Sequence, residues 1–268
     1  MNVVTRRRKP SGRYLKRGFY DSLNSKGKKV IEMNCMNLYG RALFDYYNGD
    51  FTNKLYMCRD DGFKFELPID IFFRDSIELG IDKKALDICF GKVIDIGAGT
   101  GLHSLNLQNL GFEVVALDIS QEACEVMKNK GVQKTICADM LNYSEEQFDT
   151  ILLIGRGIGA IGTIDNLPKY LKHFRKILKR EKGQIIINSC DMRKSTSEKE
   201  IEYVLRNQEL GRYFGEITYH FEYCGQIGES FKWTLIDKDT LSDYLKKAGF
   251  SYEVIHEEED GNYLIRIF

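Results

Sequence analysis

Five short apolar segments alternate with segments of helical periodicity between residues 92 and 189, and this pattern constrains the fold more than any other feature. The apolar segments are 92-KVIDI-96, 113-EVVALD-118, 134-KTICA-138, 148-FDTILLI-154 and 184-QIIINS-189. Nearly continuous apolar runs are typical of parallel strands that are buried on both faces. Because parallel strands need crossover connections, the pattern predicts an α/β fold with a mostly parallel sheet and helices on both sides.

The segments between and after these strands predict the remaining elements. Helices are expected at 102–110, at 121–130 between an N-cap at Ser120 and Gly131, and at 166–180 with Pro168 in the first turn. Beyond residue 189 the expected elements are a helix at 193–211, a hairpin of strands 216–224 and 230–237, a helix at 239–248, and strands 250–256 and 262–268. The last two strands are predicted to form an antiparallel hairpin at the edge of the sheet.

Three regions are expected along the chain. Residues 1–28 form a basic tail, 29–90 form an N-terminal cap, and 91–268 form the sheet domain. The cap is predicted to contain a helical part and a hairpin within 55–67, because strand-like alternation surrounds Asp61-Gly62. The segment 212–237 is an insertion before the last helix. Both cap and insertion are expected to cover the carboxyl ends of the parallel strands.

Charge and cysteine content exclude several classes of protein. Basic and acidic residues number 39 each in the 268-residue chain, so net charge predicts neither nucleic-acid nor membrane binding. The seven cysteines form no CxxC pair, which indicates reduced thiols in the cytoplasm and no metal site. No apolar run approaches the ~20 residues of a membrane span. The basic tail is either a solvated segment or a contact for an acidic partner or RNA.

Two glycine-rich turns follow apolar strands, 97-GAGTG-101 and 155-GRGIGAIG-162. A nucleoside-binding turn needs a carboxylate at the end of the next strand, about 20 residues further on, to bind the ribose hydroxyls. Asp118 meets this requirement for the first turn. The corresponding acid for the second turn, Asp191, lies much further along the chain. The first turn is therefore predicted to bind the cofactor.

The spacing of the first turn also indicates which cofactor it binds. It reads GxGxG and not the GxGxxG of dinucleotide sites, and Asp95 precedes it by two residues. A carboxylate there suits an ammonium or sulfonium better than a pyrophosphate. The chain here resembles the class I S-adenosylmethionine-dependent methyltransferases, a Rossmann-like family. The motifs 93-VIDIGAGTG-101, Asp118, 137-CAD-139 and 148-FDTILLI-154 match in order, and the antiparallel last strand is a further family trait.

The resemblance implies a set of cofactor-binding residues: Asp95, Gly97, Ala98, Gly99, Gly101, His103, Asp118, Ile119, Asp139, Met140 and Gly155. Asp95 would lie near the methionine amino group, Asp118 would bind the ribose, and Ile119 would flank the adenine. Asp139 would accept from the adenine amino group, although an ordinary loop acid is the alternative. His103 either contacts the methionine carboxylate or is a packed histidine.

The second glycine turn is predicted to border the reacting centre. Many nucleic-acid amino methyltransferases carry Asn/Asp-Pro-Pro-aromatic at this position, whereas this chain has Gly155-Arg156-Gly157-Ile158, so a nucleic-acid substrate is disfavoured. Arg156 is expected to anchor an anionic group of the substrate. Further expected substrate contacts are Tyr46, Tyr219 and Trp233, and His220, as a base, with Tyr223 and Tyr47, as aligning groups, are the expected catalytic residues.

These features predict an S-adenosylmethionine-dependent methyltransferase whose acceptor is a small molecule or short peptide, with oxygen or nitrogen as acceptor atom. Alignment and desolvation would carry the catalysis, and S-adenosylhomocysteine would be the product. Two alternatives remain at this point. One is a nicotinamide-dependent oxidoreductase on a similar sheet, and the other is a catalytically silent methyltransferase-like subunit.

Overall fold

The computed structural model describes residues 35–74, 77 and 80–268, together with the backbone of two short strands nearer the N-terminus. The chain divides into two units, Met1–Met33 and Asn34–Phe268. In the first unit the two short strands pair antiparallel. The remainder of the predicted basic tail, 1–28, lies outside the described residues. No helix in the described ranges is both long and apolar enough to cross a membrane.

The described elements are fourteen strands and seven α-helices. The strands are β1 (Ser22–Leu23), β2 (Lys29–Val30), β3 (Leu55–Arg59), β4 (Lys64–Leu67), β5 (Val93–Ile96), β6 (Val114–Asp118), β7 (Thr135–Cys137), β8 (Thr150–Leu153), β9 (Gln184–Cys190), β10 (Glu216–Tyr223), β11 (Gln226–Ile227), β12 (Phe231–Thr234), β13 (Tyr252–Glu257) and β14 (Asn262–Ile267). The helices are α1 (Asn37–Tyr47), α2 (Gly80–Asp87), α3 (Leu102–Asn109), α4 (Gln121–Lys130), α5 (Leu167–Ile177), α6 (Glu198–Glu209) and α7 (Lys238–Lys247).

Seven strands form the main sheet in the order β13-β14-β9-β8-β5-β6-β7. The five strands β5 to β9 pair in parallel, and β14 pairs antiparallel with both β9 and β13. The predicted α/β fold, with its mostly parallel sheet and antiparallel last strand, is confirmed. The chain order reverses between β5 and β8, so the two glycine turns leave neighbouring strands at the point where open α/β sheets bind ligands.

The apolar runs form strands because both faces of the sheet are covered. Every residue of β5, β6, β8 and β9 is buried. Helix α5 turns Leu167, Leu171 and Phe174 onto one face, in the same apolar cluster as Ile151 and Ile185. Burial of apolar area on both faces is the main favourable contribution to the stability of such a sheet.

Helix α4 begins and ends where the sequence predicts. Ser120 Oγ accepts a hydrogen bond from Ala123 N at 3.2 Å, which is a side-chain N-cap. Gly131 ends the helix with φ +96°, a left-handed conformation that favours glycine. The termini of α4 are therefore set by local sequence. The helices predicted at 102–110 and 239–248 differ from α3 and α7 by one residue at an end, whereas those predicted at 166–180 and 193–211 extend beyond α5 and α6 by up to three and five residues.

A second, antiparallel sheet joins the N-terminal region to the inserted segment. Its order is β11-β10-β3-β4, and β12 also pairs with β10. The two hairpins predicted separately, 55–67 and 216–237, thus share one sheet, with β10 lying between β3 and the β11 and β12 strands. This pairing satisfies the edge of β3 that a lone hairpin would expose. One face of the second sheet packs on α1 and α6 through Phe221, Tyr223 and Ile217.

Candidate functional site

The first glycine turn joins β5 to α3 with three left-handed residues. The φ angles of Gly97, Gly99 and Gly101 are +74°, +57° and +76°, values that disfavour any side chain. A Cβ at Gly97 would meet open space, whereas a Cβ at Gly101 would lie 2.8 Å from Val132 Cγ2. Gly97 thus leaves room for a ligand to approach the backbone, whereas a Cβ on Gly99 would lie 3.4 Å from the Tyr39 hydroxyl. Gly101 allows the turn to pack on the segment after α4, which differs from its predicted role as a cofactor contact, and Ala98 is likewise buried.

Asp118, at the end of β6, ties two backbone segments together at this turn. Its Oδ2 accepts from Gly99 N at 2.8 Å, and its Oδ1 accepts from Ser120 N at 2.8 Å. Burial raises the pKa of Asp118, and the two N–H groups oppose this rise. Each carboxylate oxygen keeps a second lone pair, so the buried carboxylate can still accept hydrogen bonds from a pair of hydroxyls.

Asp95 lies beneath the same turn and is almost completely buried. Its Oδ2 accepts from Ser104 Oγ at 2.7 Å, which ties the strand to the start of α3. Burial raises the pKa of Asp95, against the effect of His103 and of the Ser104 hydroxyl. In the part of the chain that the structure describes, neither Asp95 nor Asp118 forms an ion pair. A ligand with positive charge would therefore stabilise the ionised form of both acids.

His103 contacts the N-terminal region. Its Nε2 is buried 3.4 Å from Asp82 Oδ2, without hydrogen-bond geometry to any described residue. Asp82 in turn receives a hydrogen bond from Arg74 Nη2 at 3.0 Å. Burial lowers the pKa of His103, but Asp82 and Asp95 outweigh burial and the net direction is upward. The rise in pKa favours the protonated imidazole, and its buried Nε2, without a hydrogen-bond partner among the described residues, suits a carboxylate ligand at this end of the site.

The expected adenine contacts follow β6 and β7, which are neighbours in the sheet. Ile119 is 43% exposed directly after Asp118, so its side chain is available to a flat apolar ligand. Asp139 Oδ1 accepts from Leu141 N at 2.8 Å and caps the short 3₁₀ turn Met140–Asn142. The side chain of Asp139 is partly exposed and retains Oδ2 for another donor.

The second glycine turn has an unusual backbone at Arg156, whose φ is +62°. The structure holds this conformation at both ends of the residue. Its backbone N–H donates to Asn188 Oδ1 at 2.9 Å, and its Nη2 donates to Asn262 Oδ1 at 2.6 Å. Backbone strain at a non-glycine residue costs free energy and is often found at functional sites. Gly155, with φ +70°, is exposed beside it.

Trp233 of the second sheet packs directly on the second turn. A Cβ at Gly159 would lie 2.1 Å from Trp233 Nε1 and 2.4 Å from Cε2. Only glycine permits this approach, because no real Cβ makes such contacts. Gly159 therefore permits close packing of the second sheet on this turn, at the carboxyl ends of the strands.

The predicted catalytic groups do not converge on this edge. His220 lies on the face of the second sheet opposite to Tyr219 and Phe221, with its Nε2 3.5 Å from Glu222 Oε1. We therefore do not retain it as a base. Tyr223 donates to Asp45 Oδ2 at 3.2 Å within the apolar cluster around α1, which is a structural role.

Tyr46 and Tyr47 are the last two residues of α1. Tyr47 borders a surface groove of about 400 Å³ beside Arg74 and Leu102. Tyr46 stacks on Phe73 with ring centroids 4.8 Å apart. Tyr219, another expected substrate contact, lies within electrostatic reach of Arg156. Burial raises the pKa of Tyr219 to about 12 despite the opposing effect of Arg59 and Arg156, so its phenol stays protonated at neutral pH.

Tyr39, in the first turn of α1, lies beside the first glycine turn and was not among the residues predicted to bind the cofactor. Its hydroxyl lies 3.4 Å from the position of a Cβ on Gly99, and burial together with Asp118 raises its pKa. The ring stacks on Phe221 at 5.6 Å. The next residue, Gly40, offered a signal, because a glycine inside a helix often marks a close approach. A Cβ there would lie 1.9 Å from Ser120 Oγ.

These observations fit S-adenosylmethionine. Left-handed glycines leave room over the backbone, a buried carboxylate ends the next strand, and two buried acids without ion pairs favour a cation. The buried N–H of His103 and the hydroxyl of Tyr39 add donors for anionic or hydroxyl groups of the ligand.

Comparison with known proteins agrees with this reading. A family model described as a methyltransferase domain matches residues 78–255. The structure of an S-adenosylmethionine-dependent methyltransferase from Bacteroides fragilis, in complex with S-adenosyl-L-homocysteine, is 31% identical with a TM-score of 0.76, covering 87% of this chain and 95% of that one. The CcbJ methyltransferase from Streptomyces caelestis has the same fold at 12% identity, with a TM-score of 0.58 and coverage of 86% and 97%.

A curated relative is the glycine/sarcosine N-methyltransferase of Aphanothece halophytica, which is 26% identical over 105 residues. The match covers 36% of this chain and 39% of the relative, so the chain spans about two fifths of that protein's length. The family match and the fold do not favour the nicotinamide-dependent oxidoreductase or the silent subunit. The chain belongs to the methyltransferase-domain family and is an S-adenosylmethionine-dependent methyltransferase.

Proposed function

We propose that the enzyme methylates the nitrogen of a small amine that also carries an anionic group, and that Arg156 binds this anionic group. The observation that carries the proposal is the fixed, left-handed backbone of Arg156 beside Gly155, at the end of the strand adjacent to the first glycine turn. A guanidinium presents paired donors that match a carboxylate. The curated relative is named for N-methylation of glycine and sarcosine, which are amines with a carboxylate.

The cofactor residues belong to the same proposal. Asp118 binds the ribose hydroxyls, Tyr39 lies over Gly99 beside them, and Asp95 stabilises the cationic methionine end. His103, with Arg74 behind Asp82, faces the methionine carboxylate. Ile119, Asp139 and Met140 border the adenine. S-adenosylmethionine supplies an activated methyl group on a sulfonium, so the protein's contribution is alignment and exclusion of water.

The residues around the acceptor suit a reaction without a dedicated base. A neutral amine attacks through its lone pair and needs no base in that step. Tyr219, protonated at neutral pH, donates a hydrogen bond or packs against the acceptor but does not remove a proton. Trp233 and Phe231, with ring centroids 6.4 Å apart, extend the same face of the second sheet and exclude water. Alignment between this face and the second turn is the main catalytic effect in the proposal.

Arginine substitutions test the anion contact. With a panel of small amines, with and without a carboxylate, Arg156→Ala should raise the acceptor KM at least tenfold for the carboxylate-bearing substrates and leave the Kd of S-adenosylmethionine unchanged. A bidentate charged contact contributes about 1.5–3 kcal/mol, equivalent to roughly 10–150-fold. Arg180→Ala, at an exposed position, is the matched control. Equal loss of cofactor and acceptor binding in Arg156→Ala would refute the assignment.

The cellular setting is also a proposal. The zero net charge and the Gly155-Arg156-Gly157-Ile158 turn support a metabolite in preference to a nucleic acid as acceptor. Six cysteines, Cys58, Cys89, Cys124, Cys137, Cys190 and Cys224, carry thiols outside any disulfide bond, which supports a cytoplasmic location. Fractionation of cells that express the full chain would test the location, and a secreted or membrane-bound enzyme would contradict it.

A further inference from the structure

His220, Cys58 and Glu222 form a cluster on the outer face of the second sheet. His220 and Cys58 are directly opposite each other on β10 and β3, and Glu222 lies two residues further along β10, so all three side chains share one face. Their nearest ligand atoms, the cysteine Sγ, an imidazole nitrogen and a carboxylate oxygen, all lie within 4.8 Å of one another. In the described part of the chain, this is the one group of three such residues that could hold a metal ion.

We propose that Cys58, His220 and Glu222 bind a single transition-metal cation of the Zn²⁺ class, with the fourth position open to solvent. One sulfur, one nitrogen and one oxygen ligand suit a borderline-soft cation, whereas Mg²⁺ and Ca²⁺ require more oxygen ligands. In a tetrahedral site with bonds of about 2.0–2.3 Å, ligand atoms are about 3.5 Å apart. Side-chain rotations that move the ligand atoms by about an ångström would bring the cluster to that spacing.

The surroundings of the cluster orient its ligands. Glu222 Oε1 faces His220 at 3.5 Å, while Oε2 accepts a hydrogen bond from Lys64 Nζ. Lys64 thus holds the carboxylate oxygen that does not face the imidazole, as outer-shell partners of metal ligands do. Cys58 is only 4% exposed, so its sulfur is shielded from bulk solvent, whereas His220 and Glu222 are each about one quarter exposed. A cation can therefore approach from the side of His220 and Glu222, and the sulfur of Cys58 forms the shielded inner side of the site.

The proposed metal site lies across two paired strands, β3 and β10. The metal would cross-link β3 of the N-terminal region to β10 of the inserted segment. The opposite face of β10 carries Phe221, which stacks on Tyr39 over the first glycine turn. A cation that binds only the native state would stabilise the pairing of β3 with β10. This proposal is independent of the acceptor and cofactor residues assigned above.

Metal titration of the full chain, purified without a histidine tag and treated with a chelator, tests the proposal. Equilibrium dialysis with Zn²⁺ should show one tightly bound ion per chain, and Co²⁺ should give the absorption of a thiolate-to-metal transition. Cys58→Ser and Glu222→Gln should each weaken binding at least tenfold and abolish the rise in Tm caused by Zn²⁺. Cys224→Ser, in the exposed turn after β10, should bind like the wild type.

The outcomes separate a metal site from a hydrogen-bonded surface cluster. Stoichiometric binding that Cys58→Ser leaves intact, or the absence of a bound ion in the wild type, would overturn the proposal. If Cys58→Ser alone lowers the Tm of the metal-free protein, Glu222→Gln decides, because its side chain lies at the surface. Retained binding in Glu222→Gln would likewise remove the carboxylate from the proposed ligand set.

Discussion

Replacing Gly159 by alanine is the sharpest test of how the second sheet closes over the second glycine turn. The added Cβ would lie 2.1 Å from Trp233 Nε1, 2.4 Å from Cε2 and 2.5 Å from Cδ1. Contact distances between carbon and ring atoms are about 3.5–4.0 Å, so the indole must move by more than about 1 Å. The backbone cannot absorb this shift freely, because Trp233 is paired with Ile217 in the second sheet.

The expected cost follows from overpacking. Adding a methyl group to a filled site typically costs about 1–3 kcal/mol. For a chain of this size, a loss of about 2 kcal/mol lowers the Tm by roughly 4–8 °C. Because Trp233 is one of the residues proposed to pack beside the acceptor, the KM of the acceptor should rise as well. The Kd of S-adenosylmethionine should not change, since the first glycine turn is untouched.

Gly157→Ala is the matched control in the same turn. Its added Cβ would lie 3.5 Å from Ile96 O and 3.8 Å from Leu153 Cβ, which are ordinary contacts. Thermal unfolding, acceptor kinetics and cofactor calorimetry should therefore separate the two variants. Trp233→Ala combined with Gly159→Ala should show a coupling energy, because the truncated side chain makes room for the methyl group. An unchanged Tm and KM in Gly159→Ala would refute the packing argument.

Three further substitutions address other contacts. Asp118→Asn should raise the Kd of S-adenosylmethionine by roughly 10–150-fold in calorimetry. A hydrogen bond to a charged carboxylate contributes about 1.5–3 kcal/mol. Gly40→Ala should lower the free energy of unfolding in urea by about 1–3 kcal/mol, since its Cβ would lie 1.9 Å from Ser120 Oγ. Glu146→Gln should cost about 1 kcal/mol at pH 7. Lys134, with Lys92 and Tyr143, holds the pKa of Glu146 at about 2, so this difference should vanish as the pH falls from about 4.5 to about 2.

Each of these has an outcome that contradicts it. Unchanged affinity for S-adenosylmethionine in Asp118→Asn would contradict the assignment of Asp118 to the ribose hydroxyls. A Gly40→Ala variant as stable as the wild type would show that α1 does not approach the start of α4 closely. A stability difference for Glu146→Gln that persists at pH 2 would exclude the ion pairs as its cause.

The sequence by itself determined the main sheet and its first ligand-binding turn. Hydrophobic runs, caps and glycines act over a few residues, so the parallel strands, the limits of α4 and the pairing of 97-GAGTG-101 with Asp118 were readable from local pattern. The reversed order between β5 and β8 follows from how such strands and helices pack. For this reason the fold, the cofactor and the enzyme class agree with the comparisons.

Only the tertiary structure decided the parts that depend on contacts between distant segments. Strand pairing across about 160 residues joined β3 to β10, and it turned His220 away from the reacting edge toward Cys58 and Glu222. Alternation along one strand shows which side chains share a face, but only the partner strands and helices show which face is buried. The same applies to Tyr39 over Gly99 and to Trp233 over Gly159, where close approach of two elements, and not local sequence, sets the contact.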